Sequence, residues 1–479
     1  MARIDLAVIG GGTAGLVAAI GAANQGAKVV LIERARTGGD CLWSGCVPSK
    51  ALIEAAAAAH TARSSDHLGV SAERVSIDLP AVMKHVHGAI ATLEPHDSPE
   101  RLRGLGIEVV HGDARLTGPD QLQVDGRTLR FRRAMVATGS EPVVPELPGL
   151  AAAAPLTNET LWDLTELPER LVVLGGGPIG CELGQAFARL GSQVTIVEMM
   201  ERLLPREEPA ASGLIAERLR REGVDVRLGT RAVRVDEGHG GGHELVVDDG
   251  GGEVAVAFDQ VLVSVGRRPR THDLGLEAAE VELDRRGAVV VDDRLRTSNP
   301  RIYAGGDVTL ELPFTHAAAA HGATVVQNAL FGLRASVDHE RIPWVTFTSP
   351  EVARVGPTAD EARERHGSDV VVRTSQHAEL DRAVTADDTD GFAQLIGDAK
   401  GRIVGATVVG PRAGETIGEV VAWMASGAKV DAIARSSTHA YPTWSSDVAA
   451  ASLAELSATL AKLRPLTRAL LWARRLLSR

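Results

Sequence analysis

Residues Ile4 to Ile9 form an apolar run that stops at Gly10. An Ala-rich stretch from Leu16 to Asn24 follows, and a second apolar run, Ala27 to Ile32, ends in Glu33. This pattern predicts strand, glycine turn, helix and strand. It returns in mid-chain, with Leu171 to Leu174 as strand, Gly175 to Gly180 as turn, Cys181 to Leu190 as helix, and Val194 to Val197 as a strand ending in Glu198. Between the two, Met135 to Ser140 is an apolar strand closed by small residues, and Pro142, Pro145 and Pro148 mark a crossing between domains. Val224 to Val265 reads as a meander of short strands around a glycine-rich loop, Gly238 to Gly242. After Arg341 the texture changes to strands at Ile342 to Pro350, Gly391 to Ile396 and Arg402 to Val409, with helices at Thr358 to His366 and Glu415 to Ser426.

Gly10, Gly12 and Gly15 stand in G-x-G-x-x-G register with an acid, Glu33, about 20 residues on. Gly175, Gly177 and Gly180 repeat the register, and Glu198 comes 21 residues after Gly177. Such glycines permit a tight turn and close approach of a pyrophosphate to a helix N-terminus, whose free N–H groups favour anions. The carboxylate accepts from ribose hydroxyls. Two units imply two dinucleotides, so the expected fold class is α/β with two Rossmann-like dinucleotide-binding domains, plus an α+β C-terminal domain.

At 479 residues the chain is too long for one core and suggests about three domains. Its formal charge of −11, with no strong basic block before the C-terminus, speaks against nucleic acid as a partner. The N-terminus runs straight into a strand, which argues against secretion. No apolar run is long enough to span a bilayer. Three cysteines are too few for a secreted disulfide scaffold, so a cytoplasmic location is expected.

Two of those cysteines, Cys41 and Cys46, lie in the stretch Gly38 to Lys50. Five helical steps rise about 7.5 Å, while a disulfide needs its Cα atoms within roughly 7 Å. A bridge here would need bent or unwound backbone, which Gly45 loosens and Pro48 limits at the start of a helix from Ser49 to His60. The residues alone also allow two unlinked buried thiols or half a metal site. Zinc, however, prefers closer pairs and further ligands, and Cys181 is distant in sequence.

The stretch resembles the active-site signature of the pyridine nucleotide-disulfide oxidoreductases, the family of dihydrolipoamide dehydrogenase, glutathione reductase and mercuric reductase. The resemblance implies a homodimer that moves electrons from NADH, with NADPH as the alternative, through FAD to a redox-active Cys41–Cys46 disulfide. Cys46 becomes the thiol beside the flavin and Cys41 the outer thiol, with Lys50 and Glu182 as a pair near the nicotinamide. FAD is expected at Gly10, Gly12, Gly15, Glu33, Gly39, Thr138, Gly139, Gly306, Asp307 and His316, and the nicotinamide nucleotide at Gly175, Gly177, Gly180, Glu198 and Gly266. Glu198 favours NADH by repelling a 2′-phosphate, and nearby Arg202 tempers that preference. The implied domains are an FAD-binding domain in two parts, 1–150 and 271–338, an NAD(P)-binding domain, 151–270, an interface domain, 339–456, and a basic tail, 457–479.

One segment departs from the family pattern. Where disulfide-reducing members carry His-Pro-Thr and then a glutamate, this chain has Tyr441, Pro442, Thr443 and, at the glutamate position, Ser446. Tyr441 is a poor base at neutral pH, and His439 and Asp447 are the candidates for rescue. The loss moves the expected acceptor toward metal ions, quinones or small disulfides, as in mercuric reductases, and away from a lipoyl-bearing dehydrogenase complex. The C-terminal cysteine pair and N-terminal Cys-x-x-Cys domain of mercuric reductases are missing. The tail carries Lys462, Arg464, Arg468, Arg474, Arg475 and Arg479 without an acid, with Leu463, Leu466, Leu470 and Leu477 on another side of a helix that Pro465 helps to start. Peripheral membrane contact, packing on the dimer and a frayed, solvated tail are all open for it.

Overall fold

A computed structural model describes residues 3–238 and 242–477 of the chain. It forms two compact units, one of Met1–Glu201 with Leu219–His339, the other of Arg202–Arg218 with Glu340–Arg479.

The first unit holds both glycine turns. Its larger sheet has seven strands, in the order Glu108–His111, Val29–Glu33, Ile4–Ile9, Arg127–Val136, Gln121–Val124 and Arg115–Gly118, with Ile302–Ala304 also paired to Arg127–Val136. Ile4–Ile9 runs parallel to both neighbours, Val8 standing opposite Leu31 and Met135. Ile302–Ala304 joins it in parallel, so the sheet is assembled from distant pieces of chain. The central strands Ile4–Ile9 and Val29–Glu33 are buried nearly throughout, which is why they read as unbroken apolar runs. Helix Thr13–Asn24 packs on helix Thr315–Phe331, and Gly322 permits the approach: a Cβ there would lie 2.5 Å from Ala14 O.

The smaller parallel sheet runs Asp225–Arg227, Gln193–Val197, Arg170–Leu174, Gln260–Val263. The region expected as one meander divides: Asp225–Arg227 and Gln260–Val263 belong to this sheet, and only Arg231–Glu237, His243–Asp248 and Glu253–Phe258 form an antiparallel trio. The tip of the expected loop, residues 239–241, lies outside the described residues. Helix Cys46–Ser64 packs against both Leu79–Leu93 and Pro178–Leu190, joining the two nucleotide-binding halves. It starts at Cys46 rather than Ser49, because Pro48 falls in the first turn, where its missing N–H has no intrahelical partner to lose.

The second unit carries an antiparallel five-stranded sheet, in the order Trp344–Thr346, Glu351–Val355, Ile403–Gly410, Phe392–Gly397, Val371–Gln376, covered by helices that include Ala413–Ala425 and Ser446–Lys462. Thr358 caps helix Ala359–His366 in a capping box with Glu361. Buried Arg354 donates Nε to Glu207 Oε2 at 3.0 Å, which anchors segment Arg202–Arg218 to the sheet. The tail is a second helix, Arg464–Leu477. The expected contribution of Arg479 lies outside the described residues, as does the side chain of Leu477. Among the described residues no helix is long and apolar enough to cross a membrane.

Candidate active site

Cys41 lies in a short helix, Gly39–Trp43, and Cys46 opens the next after a break at Ser44 and Gly45. The backbone between them is bent, as a close approach requires. Both are free thiols, Cys41 half-buried and Cys46 exposed, and each influences the ionisation of the other. Cys46 Sγ also lies 3.2 Å from Thr315 Oγ1. The hydrogen bond from Cys41, then Thr315 and the Lys50 cation, outweigh desolvation and bring Cys46 down to about 6. The same contact and burial push Cys41 up. The surroundings thus favour the thiolate on Cys46 and the proton on Cys41. Lys50, one turn after Cys46, donates Nζ to Glu182 Oε2 at 2.8 Å, and Glu182 is buried on the helix that follows the second glycine turn.

Around the thiols runs a polar network of which the sequence singled out only Asp307. Arg267 reaches Asp40 Oδ2 at 3.1 Å, Ser140 Oγ at 2.7 Å and Asn158 Oδ1 at 3.1 Å. Ser140 Oγ donates to Asp307 Oδ2 at 2.7 Å, and Asn158 Nδ2 donates to Asp40 Oδ1 at 3.2 Å. Ser44 Oγ donates to the same Asp40 oxygen. Burial pushes the Asp307 carboxyl up. Arg267 is adjacent to Gly266, yet no local pattern sets it apart, because its partners lie more than 100 residues away in sequence. Cys41 also lines a cavity of about 240 Å³ with Leu42, Leu93, His96 and Asp97.

The two glycine turns are built alike. Gly10 and Gly175 have φ of +106° and +103°, a region that L side chains rarely adopt. A Cβ on Gly15 would lie 1.9 Å from Gly10 O, and one on Gly180 would lie 1.9 Å from Gly175 O. The middle glycines differ. A Cβ on Gly177 would meet nothing within 4 Å, and one on Gly12 only Gly39 Cα at 3.8 Å. Each middle glycine caps its helix, so the open space lies before N–H groups aimed at an anion. The acids also match: Glu33 accepts from Gly11 N at 2.6 Å and Ala35 N at 2.8 Å, Glu198 from Gly176 N at 2.6 Å and Met200 N at 2.8 Å. These cradles fit two pyrophosphate-containing dinucleotides.

The remaining expected contacts gather around the first turn. Gly39 packs against Gly12, and Gly38 N donates to Gly11 O at 2.9 Å. Thr138 Oγ1 donates to Arg270 O at 2.6 Å, and Gly139 O accepts from Arg270 N at 2.9 Å. Gly306 N donates to Nδ1 of buried His321 at 3.0 Å, and burial lowers that ring to about 4, so it stays neutral. His316 is exposed and stacked on Phe314, whereas its neighbour Thr315 makes the thiol contact.

Tyr441 and His439 belong to the second unit. Tyr441 is 77% exposed and donates its hydroxyl to Asp381 Oδ2 at 2.7 Å, which pushes the phenol up. The two candidates for rescue, His439 and Asp447, have separate partners. Asp447 is buried against His377 at 3.0 Å, while His439 Nε2 lies 2.8 Å from Glu419 Oε2.

Two family profiles match, pyridine nucleotide-disulphide oxidoreductase over residues 4–322 and the dimerisation domain of the same family over 342–452. The chain is 40% identical over 448 residues to a mercuric reductase of Streptomyces lividans, covering 92% of this chain and 93% of that protein. It is 38% identical to a dihydrolipoyl dehydrogenase of Thermus scotoductus over 461 residues, 93% of this chain and 96% of that one. Its fold is similar to the Cu(II) complex of the HOCl-induced flavoprotein disulfide reductase RclA from Escherichia coli, with a TM-score of 0.82 and 30% identity over 94% of this chain and 99% of that chain. The chain belongs to the class I pyridine nucleotide-disulfide oxidoreductases, flavoprotein enzymes that use FAD and NAD(P)H.

Proposed function

We propose that this enzyme takes electrons from NADH and delivers them through Cys41 and Cys46 to a soft metal ion, a quinone or a small disulfide, in the manner of a mercuric reductase. Bound FAD supplies the two-electron relay between nicotinamide and sulfur, with Gly12, Glu33, Thr138, Gly139 and Asp307 as its holders. Two electrons and one proton convert a Cys41–Cys46 bridge into the Cys41 thiol and the Cys46 thiolate. The observation that carries the reading is the pair of free thiols set across the bend between two helices, with Thr315 Oγ1 3.2 Å from Cys46 Sγ and the Lys50 cation one turn on, contacts that lower Cys46. A thiolate with a neighbouring thiol is a soft donor set that needs no external base. Lys50, held by Glu182, keeps positive charge near that thiolate. Glu198 supports NADH over NADPH, and Arg202 turns its guanidinium to Pro205 O at 2.8 Å.

The second reading is a dihydrolipoyl dehydrogenase serving a 2-oxoacid dehydrogenase complex. It is favoured by the His439–Glu419 pair, a histidine–carboxylate couple two residues before Tyr441. The test is to reduce the flavoprotein anaerobically with NADH and then with NADPH, and to rank reoxidation by lipoamide, other disulfides, Hg²⁺, Cu²⁺, quinones and oxygen. Metal ions or quinones are expected to lead. Fast lipoamide turnover overturns the first reading in favour of the second.

A further inference from the structure

The helix Arg464–Leu477 has 14 residues and no acid. At 100° per residue, Leu463, Leu466, Leu470 and Ala473 share one side, with Arg474 at its margin, and Arg464, Arg468 and Arg475 share another. The apolar side is not packed away: Leu466 is 60% exposed and Leu470 57%, with Leu463 also exposed, while exposed Leu471 and Trp472 lie toward the arginines. A helix that only covered its own unit would bury those leucines. Charge then selects the occupant. The chain carries −11 overall, with six cations and no acid after Ala461, which leaves −17 on the rest.

We propose that this helix is a docking surface for an anionic lipid bilayer, lying in the interface with its leucines in the acyl boundary and its arginines among the headgroups. Cation density and an exposed apolar face on one short helix meet both requirements of such a surface. The bulk acidity of the chain directs attachment to the tail, since anionic lipids repel the remainder. The proposal is independent of which acceptor the active site serves.

The test is co-sedimentation of the full-length FAD-loaded protein with vesicles of phosphatidylglycerol and phosphatidylcholine, and with phosphatidylcholine alone. Binding is expected only to the anionic vesicles, and its loss in high salt. The pair Arg464→Gln and Arg468→Gln is expected to weaken it by about 25-fold, at about 1 kcal/mol per cation near the surface. Leu466→Asp with Leu470→Asp is expected to abolish it, with NADH-dependent reduction of an artificial dye unchanged as the check on folding. Equal binding to neutral vesicles, or no binding above the lipid-free control, overturns the proposal. So does a change of oligomeric state in the leucine variant with vesicle binding intact, which would assign the face to a second copy of the chain.

Discussion

Replacing Cys41 by alanine removes the largest influence that keeps Cys46 ionised. Cys46 falls from an ordinary 9.0 to about 6, and three contacts lower it, in the order Cys41, Thr315 and Lys50, against burial and Asp40. Together those three must exceed a net fall of about three pH units, so the first must supply at least about one. At pH 7 the native thiolate fraction is about 90%, and in Cys41→Ala it should drop to about half or less. The direction follows because the lost donor stabilises only the charged form. The assay is the pH dependence of iodoacetamide alkylation at Cys46, read by mass spectrometry on the reduced flavoprotein. Cys181 is a silent background, since it is buried and desolvation pushes it up. A Cys46 pKa in Cys41→Ala within about 0.3 of the native value would refute the reasoning, because Thr315 and Lys50 would then suffice.

Other perturbations separate structural from chemical roles. Gly180→Ala puts a methyl group 1.9 Å from Gly175 O and should cost about 1–3 kcal/mol of stability, whereas Gly177→Ala enters open space and should raise the KM for NADH while leaving the melting temperature alone. Lys50→Met leaves the Glu182 carboxylate buried without that cation, and because Lys50 is itself about a third exposed the cost is modest, about 1–2 kcal/mol. Adding Glu182→Gln should restore most of that loss in chemical denaturation but not the rate of reduction by NADH. Glu198→Gln removes a charge while keeping an acceptor for Gly176 N, so the ratio of kcat/KM for NADPH over NADH should rise about tenfold or more in steady-state assays.

The nucleotide-binding halves were legible because their requirements are local. A turn that needs positive φ at Gly10 and no side chain at Gly15 leaves its mark within six residues, and the acid that closes it ends the very next strand. Lys50 and Glu182 lie 132 residues apart, and only family resemblance joined them in advance of the 2.8 Å contact. Arg267, Asp40 and Asn158 stayed invisible for the opposite reason: each is an ordinary polar residue whose importance comes from partners brought close by the fold. Thr315 was passed over for His316, since a helix-starting threonine reads as routine while a histidine suggests chemistry. His377, 70 residues before Asp447, was not foreseen as its partner, because nothing local in the sequence links the two.

The account rests on NADH electrons reaching the two sulfurs of the Gly38 to Lys50 stretch. The direct measurement is the count of thiols, after denaturation, in air-oxidised protein and in protein titrated anaerobically with NADH. The account predicts a rise from one thiol, Cys181, to all three cysteines of the chain, with no such rise in Cys46→Ala. An unchanged count in the native protein after full reduction of its flavin would contradict it.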